Sequence, residues 1–298
     1  MADAGRRLDV EEVGAQVTVQ DLGRVGLAHL GVPRSGALDS PAHRLANRLV
    51  GNPEEAATLE CLDGRLTVRL RSSATVAVTG AEVPVSVDGR AREWGSGFPV
   101  PAGSQVSIGA ATTGLRAYLA VSGGIDVEPV LGSRSTDLLS GLGPDPVEAG
   151  DTVPLGLTDG APVAVDTPRP PRRTGVLRVL LGPRHDWFEA AAVAALDGAS
   201  YVVGSSSNRI GLRLEGDPIT WSGTQELPSE GMVLGAVQVP PNGQPVVFLS
   251  DHPTTGGYPV VAVVLADDLP SCAQLRPGEQ VTLRVVGTAP GRGRRPRS

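Results

Sequence analysis

Residues 250–259, Ser-Asp-His-Pro-Thr-Thr-Gly-Gly-Tyr-Pro, gather more kinds of polar side chain than a structural turn needs. They directly follow the apolar run Val246–Leu249, so they are expected to emerge at a strand end. Asp251 and His252 are candidates for proton transfer, because His titrates near neutrality and a carboxylate can orient it. Neighbours along a strand point to opposite faces, so these two need not touch each other. Thr254, Thr255 and the backbone amides of Gly256 and Gly257 are suited to cradle an anion or oxyanion, and Tyr258 closes the stretch.

Two further segments have similar character. In Ser206-Ser207-Asn208-Arg209-Ile210-Gly211 and the later Glu226–Gly231, Asn208 and Ser229 offer hydrogen-bonding groups of the kind an amide or ureido group needs. Arg209 and Glu230 are candidates for charge chemistry there, with a plain ion pair between them as the alternative. The other segment runs from Gln20 to Gly26 and continues through Gly31–Asp39. Its glycines allow close backbone approach, and Arg24 offers a two-pronged donor for a carboxylate or phosphate. A tight turn with a structural Arg–Asp pair and a capped helix explains the same residues. His29 and His43 are isolated and lack ligand spacing; His185 precedes a helix for which Asp186 is the expected cap. No G-x-S-x-G elbow occurs.

Composition narrows the chemistry. Every basic side chain is Arg: the 298 residues contain no Lys. The chain therefore has no P-loop Lys for nucleotide phosphates, no Schiff-base Lys and no Lys to carry biotin. ATP or a biotin arm, if used, must be supplied by another protein of the assembly. Net charge is −6, and four Arg lie in the tail from Thr288 to Ser298, so the remainder is more acidic still and nucleic-acid binding is not expected. Cys61 and Cys272 lack metal-type spacing, so no metal site is expected. The apolar runs are strand-sized and nothing resembles a leader, which makes the cytoplasm the expected location.

The elements that must position these residues are mostly strands. Aromatic residues are only 3% of the chain, so the core must be aliphatic, and 39 Gly with 26 Pro punctuate Val-rich runs. A Pro-rich stretch, 161–175, reads as a linker between lobes at 8–160 and 176–287, followed by a disordered basic tail, 288–298. In the first lobe, strands are expected at Gln16–Val19, Thr58–Leu62, Leu66–Leu70, Thr75–Val78, Val83–Val87, Val106–Ile108 and Arg116–Val121. One helix interrupts them, with Asp39 as N-cap, Pro41 in the first turn and Gly51 as its stop. The second lobe is expected to carry strands at Leu177–Leu181, Ser200–Val203, Ile210–Leu214, Val246–Ser250, Val260–Leu265 and Gln280–Val286, and a helix over Trp187–Leu196. Ala102–Ile108, Ala149–Leu155 and Pro277–Leu283 echo one another as a Gly turn feeding an alternating strand. Arg24-Val25-Gly26-Leu27 is echoed by Arg209-Ile210-Gly211-Leu212.

Taken in order, Val19–Arg24, Gly31–Asp39, Leu45–Pro53, Ala120–Ile125, Leu131–Asp137, Ser207–Leu214, Glu226–Gly231, Gln238–Pro240 and Asp251–Pro259 resemble one carboxyltransferase-type family. It includes the C subunit of 5-oxoprolinase, subunit 2 of allophanate hydrolase and the carboxyltransferase part of urea amidolyase, and the resemblance is to the subdomain C/D type. It implies a mainly β fold with a few short helices, built as two tandem cyclophilin-like β-barrel lobes. It also implies one component of an ATP-dependent 5-oxoprolinase, active only in a complex. The expected partners are a smaller protein (the B subunit of 5-oxoprolinase or subunit 1 of allophanate hydrolase in type) and a third, A-type component, with no cofactor bound by this chain. On that reading Asp251, His252, Arg209 and Glu230 are catalytic. Arg24, Ser35, Asn208, Ser229, Gln238, Thr254, Thr255, Gly256, Gly257 and Tyr258 bind substrate. The alternatives are a carboxyltransferase subunit of the allophanate hydrolase or urea amidolyase type, or a regulatory module that antagonises a sensor-kinase inhibitor.

Overall fold

The computed structural model describes residues 5–158, 175–222 and 227–289. The chain divides into two units, Met1–Arg172 with Ala273–Arg276, and Arg173–Cys272 with Pro277–Ser298. The stretch read as a linker lies, apart from Gly175, outside the described residues, and so does the tail beyond Ala289.

The first unit holds two antiparallel sheets. One has the strand order Thr152–Pro154, Arg7–Val13, Gly64–Leu70, Gln105–Ala110, Val85–Val87, Arg90–Arg92. The other runs Gln16–Gln20, Thr58–Leu62, Thr113–Val121, Ala74–Glu82, Gly97–Val100. Alternation explains the pattern: along Gln105–Ala110 only Val106 and Ile108 are buried, the period of two that a half-covered strand requires. The core is aliphatic, with Leu8, Val10, Leu59, Leu66, Val68, Val78 and Leu119 among its buried members. Gly97–Val100 carries Pro99 and sits at a sheet edge, where a residue without an N–H costs no ladder bond.

The longest helix among the described residues, Ser40–Leu49, forms where expected. Asp39 caps it by accepting from Ala42 N at 3.1 Å, and its buried face carries His43, Ala46, Asn47 and Leu49. Ala46 and Leu49 pack with Ala77, Tyr118 and Ala120. His43 is fully buried, its Nδ1 2.9 Å from Thr58 Oγ1. Burial lowers its pKa to about 4, so the ring is neutral at pH 7.

In the second unit seven strands close a barrel, in the order Val176–Leu181, Val260–Val264, Ala236–Gln238, Val246–Phe248, Gly211–Gly216, Ser200–Val203, Gln280–Thr288. Val176–Leu181 and Gln280–Thr288 pair in parallel. The helix expected over Trp187–Leu196 is shorter and starts later. His185–Trp187 is a 3₁₀ turn, and the α-helix covers only Ala190–Ala195. Asp186 is not its cap. Phe188 interrupts the path: it is buried, extended (φ −113°, ψ 158°) and bridged to Trp221, which forbids continuous helix through it. The cap position falls to Glu189, whose side chain makes no capping bond.

Candidate functional site

The candidate residues of the second unit lie on the loops that flank the short strand Val246–Phe248. That strand pairs Phe248 with Gly211 at one end and Val246 with Gln238 at the other. Loop 249–259 leaves at the first end, and the chain rejoins the barrel at Val260, opposite Gln238. The loop therefore divides the candidates between two clusters.

At the first end Arg209 and Asp251 form a bidentate pair, Nε to Oδ2 at 2.9 Å and Nη2 to Oδ1 at 2.8 Å. The two side chains are 1% and 0% exposed. Asp251 N also donates to Arg209 O, so backbone and side chain together tie the two loops. Asn208 accepts from the backbone N–H of Ile210 and of Gly211, a turn that fixes the approach to strand Gly211–Gly216. His252 stacks on Phe248 at 5.9 Å between centroids, and its Nδ1 lies 2.7 Å from Pro253 O. The structure thus couples Arg209 to Asp251, while Glu230 is engaged by Arg184.

That second ion pair belongs to the other end of the loop. Arg184 Nε donates to both Glu230 oxygens, at 3.0 and 3.1 Å, and Nη2 donates to Oε1. Glu230 raises the guanidinium further above its ordinary value. Glu230–Gly231 pairs with Thr255–Gly256, and Met232 N donates to Thr254 O, so the Thr–Gly stretch is laid as a short strand beside Glu230. Gln238, 6% exposed, donates from Nε2 to Tyr258 O at 3.0 Å. A side chain at Gly256 would come within 2.7 Å of that Nε2, so glycine lets the loop lie on Gln238. A side chain at Gly257 would meet Leu227 O at 4.0 Å, an ordinary contact, Ser229 is exposed, and Tyr258 is 43% exposed.

Aromatic side chains border this cluster. Trp221 stands edge-on to Phe188 and to Tyr258, with centroids 6.4 Å apart in each case, and the Arg184 guanidinium lies 6.0 Å from the Trp187 ring. Met232, Ala236, Phe248 and Val260 pack together among the same elements. Arg184, Trp187 and Trp221 lie outside the polar segments read from the sequence, and in a chain with three Trp the presence of two here is the signal that residue order offers.

Arg24 and Ser35 belong to the first unit. Arg24 is 2% exposed and donates to Val130 O and Ser135 O. Asp21 accepts from Ser133 Oγ, Ser135 Oγ, Arg134 N and Gly23 N. Burial opposes its charge, but those hydrogen bonds outweigh it and hold its carboxyl below the usual carboxylate range. Ser35, at φ 55°, donates to Thr136 O.

Neither cysteine is suited to nucleophilic work. Both are buried, and burial pushes the thiols up, Cys272 to about 12. Among the described residues no group of three or more His, Cys, Asp or Glu is placed to hold a metal ion, and no helix is long and apolar enough to cross a membrane.

The family model for the carboxyltransferase domain, subdomains A and B, matches residues 30–285, which replaces the expected C/D type. The chain is 38% identical to the C subunit of 5-oxoprolinase from Escherichia coli, over 92% of this chain and 89% of that protein. It is 32% identical to urea amidolyase of Lachancea kluyveri over 92% of this chain, but spans only 16% of that much longer protein. The crystal structure of TTHA0988 superposes with a TM-score of 0.86 at 36% identity, covering 94% of this chain and 55% of that one.

Proposed function

The chain belongs to the carboxyltransferase-domain family of subdomains A and B, and on that premise we propose that it is the C-type subunit of an ATP-hydrolysing 5-oxoprolinase, opening 5-oxo-L-proline to L-glutamate. The observation that carries this reading is extent. The chain and the C subunit from E. coli correspond almost end to end, whereas the urea amidolyase match is to a fragment. The Lys-free sequence supports it, because a chain with no Lys has neither a P-loop Lys nor a biotin attachment point. ATP then binds elsewhere in an assembly with a smaller B-type subunit, joined by a third, A-type component. Phosphorylation of the lactam oxygen there would leave the ring carbon open to attack by water.

In this reading Arg209 and Asp251 act by positioning, since neither side chain reaches solvent. They hold the first end of the loop that carries His252 and the Thr254–Tyr258 stretch. His252, Glu230, Gln238 and the amides of Gly256 and Gly257 are left to meet the substrate, with Asn208 shaping the turn beside them. A preorganised edge of donors suits a developing oxyanion better than a Ser or Cys nucleophile would. The test is ATP hydrolysis stimulated by 5-oxoproline, with each component omitted in turn. Turnover is expected only with all components present; turnover by this chain alone contradicts the assembly, and none by the full set contradicts the substrate. Urea-stimulated carboxylation by the same mixture would favour the carboxyltransferase alternative, and partner binding without turnover of either substrate would favour a regulatory module.

A further inference from the structure

We propose that Arg184 recognises a carboxylate, so that this unit selects small amides bearing one, such as a lactam carboxylate, over neutral amides; the proposal rests on the amide-opening reading. A guanidinium has two edges that can grip a carboxylate. Glu230 occupies the side-on edge, Nε with Nη2. The end-on edge, both Nη1 protons and the second proton of Nη2, remains: among the described residues no acceptor engages Nη1. The side chain is 36% exposed, so that edge can reach a ligand. Glu230 fixes the guanidinium in place, which preorganises its fork for a second carboxylate.

The neighbours fit the rest of such a ligand. Glu230 pairs with Gly256, which sets Arg184 beside the Thr–Gly stretch, and exposed Tyr258 stands edge-on to Trp221. The indole Nε1 of Trp221 is buried and, among the described residues, has no hydrogen-bond partner. It is an unpaired donor at the border of the Arg184 cluster, where buried donors are normally paired. The other candidate cation of this unit, Arg209, is fully buried against Asp251 and has no edge that a ligand can reach. With no Lys in the chain, Arg184 is the remaining Arg of the site among the described residues.

The test compares ligands that differ only in charge. The full chain is titrated by calorimetry with 5-oxo-L-proline and its neutral carboxamide, and with N-acetylglycine and N-acetylglycinamide. The wild type is expected to prefer the acid of each pair by about 10–100-fold, the range of a hydrogen-bonded charge pair. Arg184→Met should remove that preference and leave the carboxamide affinity unchanged. Arg184→Lys, which keeps the charge and loses the fork, should keep only a small part of it. Glu230→Gln, which removes the competing negative charge, should bind the acids more tightly, a gain that loss of folding cannot imitate. An undiminished preference in folded Arg184→Met, or no binding of either acid by the wild type, overturns the proposal. In the assembled complex the same Arg184 variants should raise KM for 5-oxoproline far more than they lower kcat. If that complex hydrolyses no 5-oxoproline while the chain still prefers N-acetylglycine through Arg184, the functional reading fails and the carboxylate site stands.

Discussion

Arg24 in the first unit and Arg209 in the second begin the same short pattern, Arg-x-Gly-Leu, and both guanidinium groups are buried, yet they are satisfied in different ways. Arg209 takes a carboxylate, Asp251, in a bidentate grip. Arg24 donates to the backbone carbonyls of Val130 and Ser135, while the nearby Asp21 collects two serine hydroxyls and two backbone amides. Arg24 and Asp21 thus draw on backbone and hydroxyl partners, and Arg209 and Asp251 match charge to charge, as the buried Arg116 and Glu60 of the first unit also do at 3.5 Å. A matched pair depends on both members. A charge shared among dipoles tolerates the loss of any one partner better.

The largest expected effect follows directly. Asp251→Asn keeps the shape and removes the charge that the buried Arg209 grips through two hydrogen bonds, and should cost about 3–5 kcal/mol in urea unfolding. Replacing both members with apolar residues, Arg209→Met with Asp251→Leu, should recover much of that loss. Ser135→Ala removes one hydroxyl from Asp21 and should cost about 1–2 kcal/mol, because three donors remain. Equal losses for Asp251→Asn and Ser135→Ala would break the comparison. Trp94 reports on the first unit, and Trp187 and Trp221 on the second, so fluorescence assigns each loss to its unit.

pH sharpens it next. His43 is held neutral in the first unit with a pKa near 4, below the roughly 6.5 of an unfolded chain. The unfolded state therefore binds a proton that the folded state refuses, and stability is lost as pH falls between those values. The loss should reach about 3 kcal/mol at pH 4 and disappear in His43→Gln. Asp21 acts in a lower window. Its folded pKa is depressed, so its contribution is full above about 3.8 and is lost as pH falls through the folded value. Asp21→Asn should flatten only that most acidic limb, in the Trp94 signal.

How much of this could be read from residue order depends on range. The capped helix at Asp39 is local chemistry, one side chain and one N–H three residues on, and it formed as expected. The echo of three Gly turns is local too: Gly103, Gly150 and Gly278 all take positive φ, and each feeds a strand. The helix after His185 was misjudged because Phe188 is claimed by Trp221, 33 positions away and invisible to a helical pattern. The candidate site shows the same limit. Polar crowding located the loop 250–259, but choosing Asp251 as the partner of Arg209 needs the pairing of Gly211 with Phe248, which no spacing reveals. Arg184 carries no such local signal, because its neighbours His185 and Asp186 read as a helix start.

The smallest effect tests whether burial or ion pairing alone sets the value of a carboxylate. Glu54 lies 2.6 Å from each of two arginines, Arg44 and Arg48. If pairing alone were decisive, Glu54→Gln would be as damaging as Asp251→Asn. The Glu54 side chain is 36% exposed and its arginines 41% and 40%, however, so water solvates all three charges whether paired or not. Glu54→Gln should therefore cost only about 0.2–1 kcal/mol in dilute buffer and almost nothing in about 0.5 M salt, roughly a 4 Å screening length. The cost of Asp251→Asn should be nearly unchanged by the same salt, because screening ions cannot enter between two side chains that expose 1% and 0% of their surface. A salt-sensitive Asp251→Asn would mean that solvent reaches the pair, and burial would then not be what separates Asp251 from Glu54.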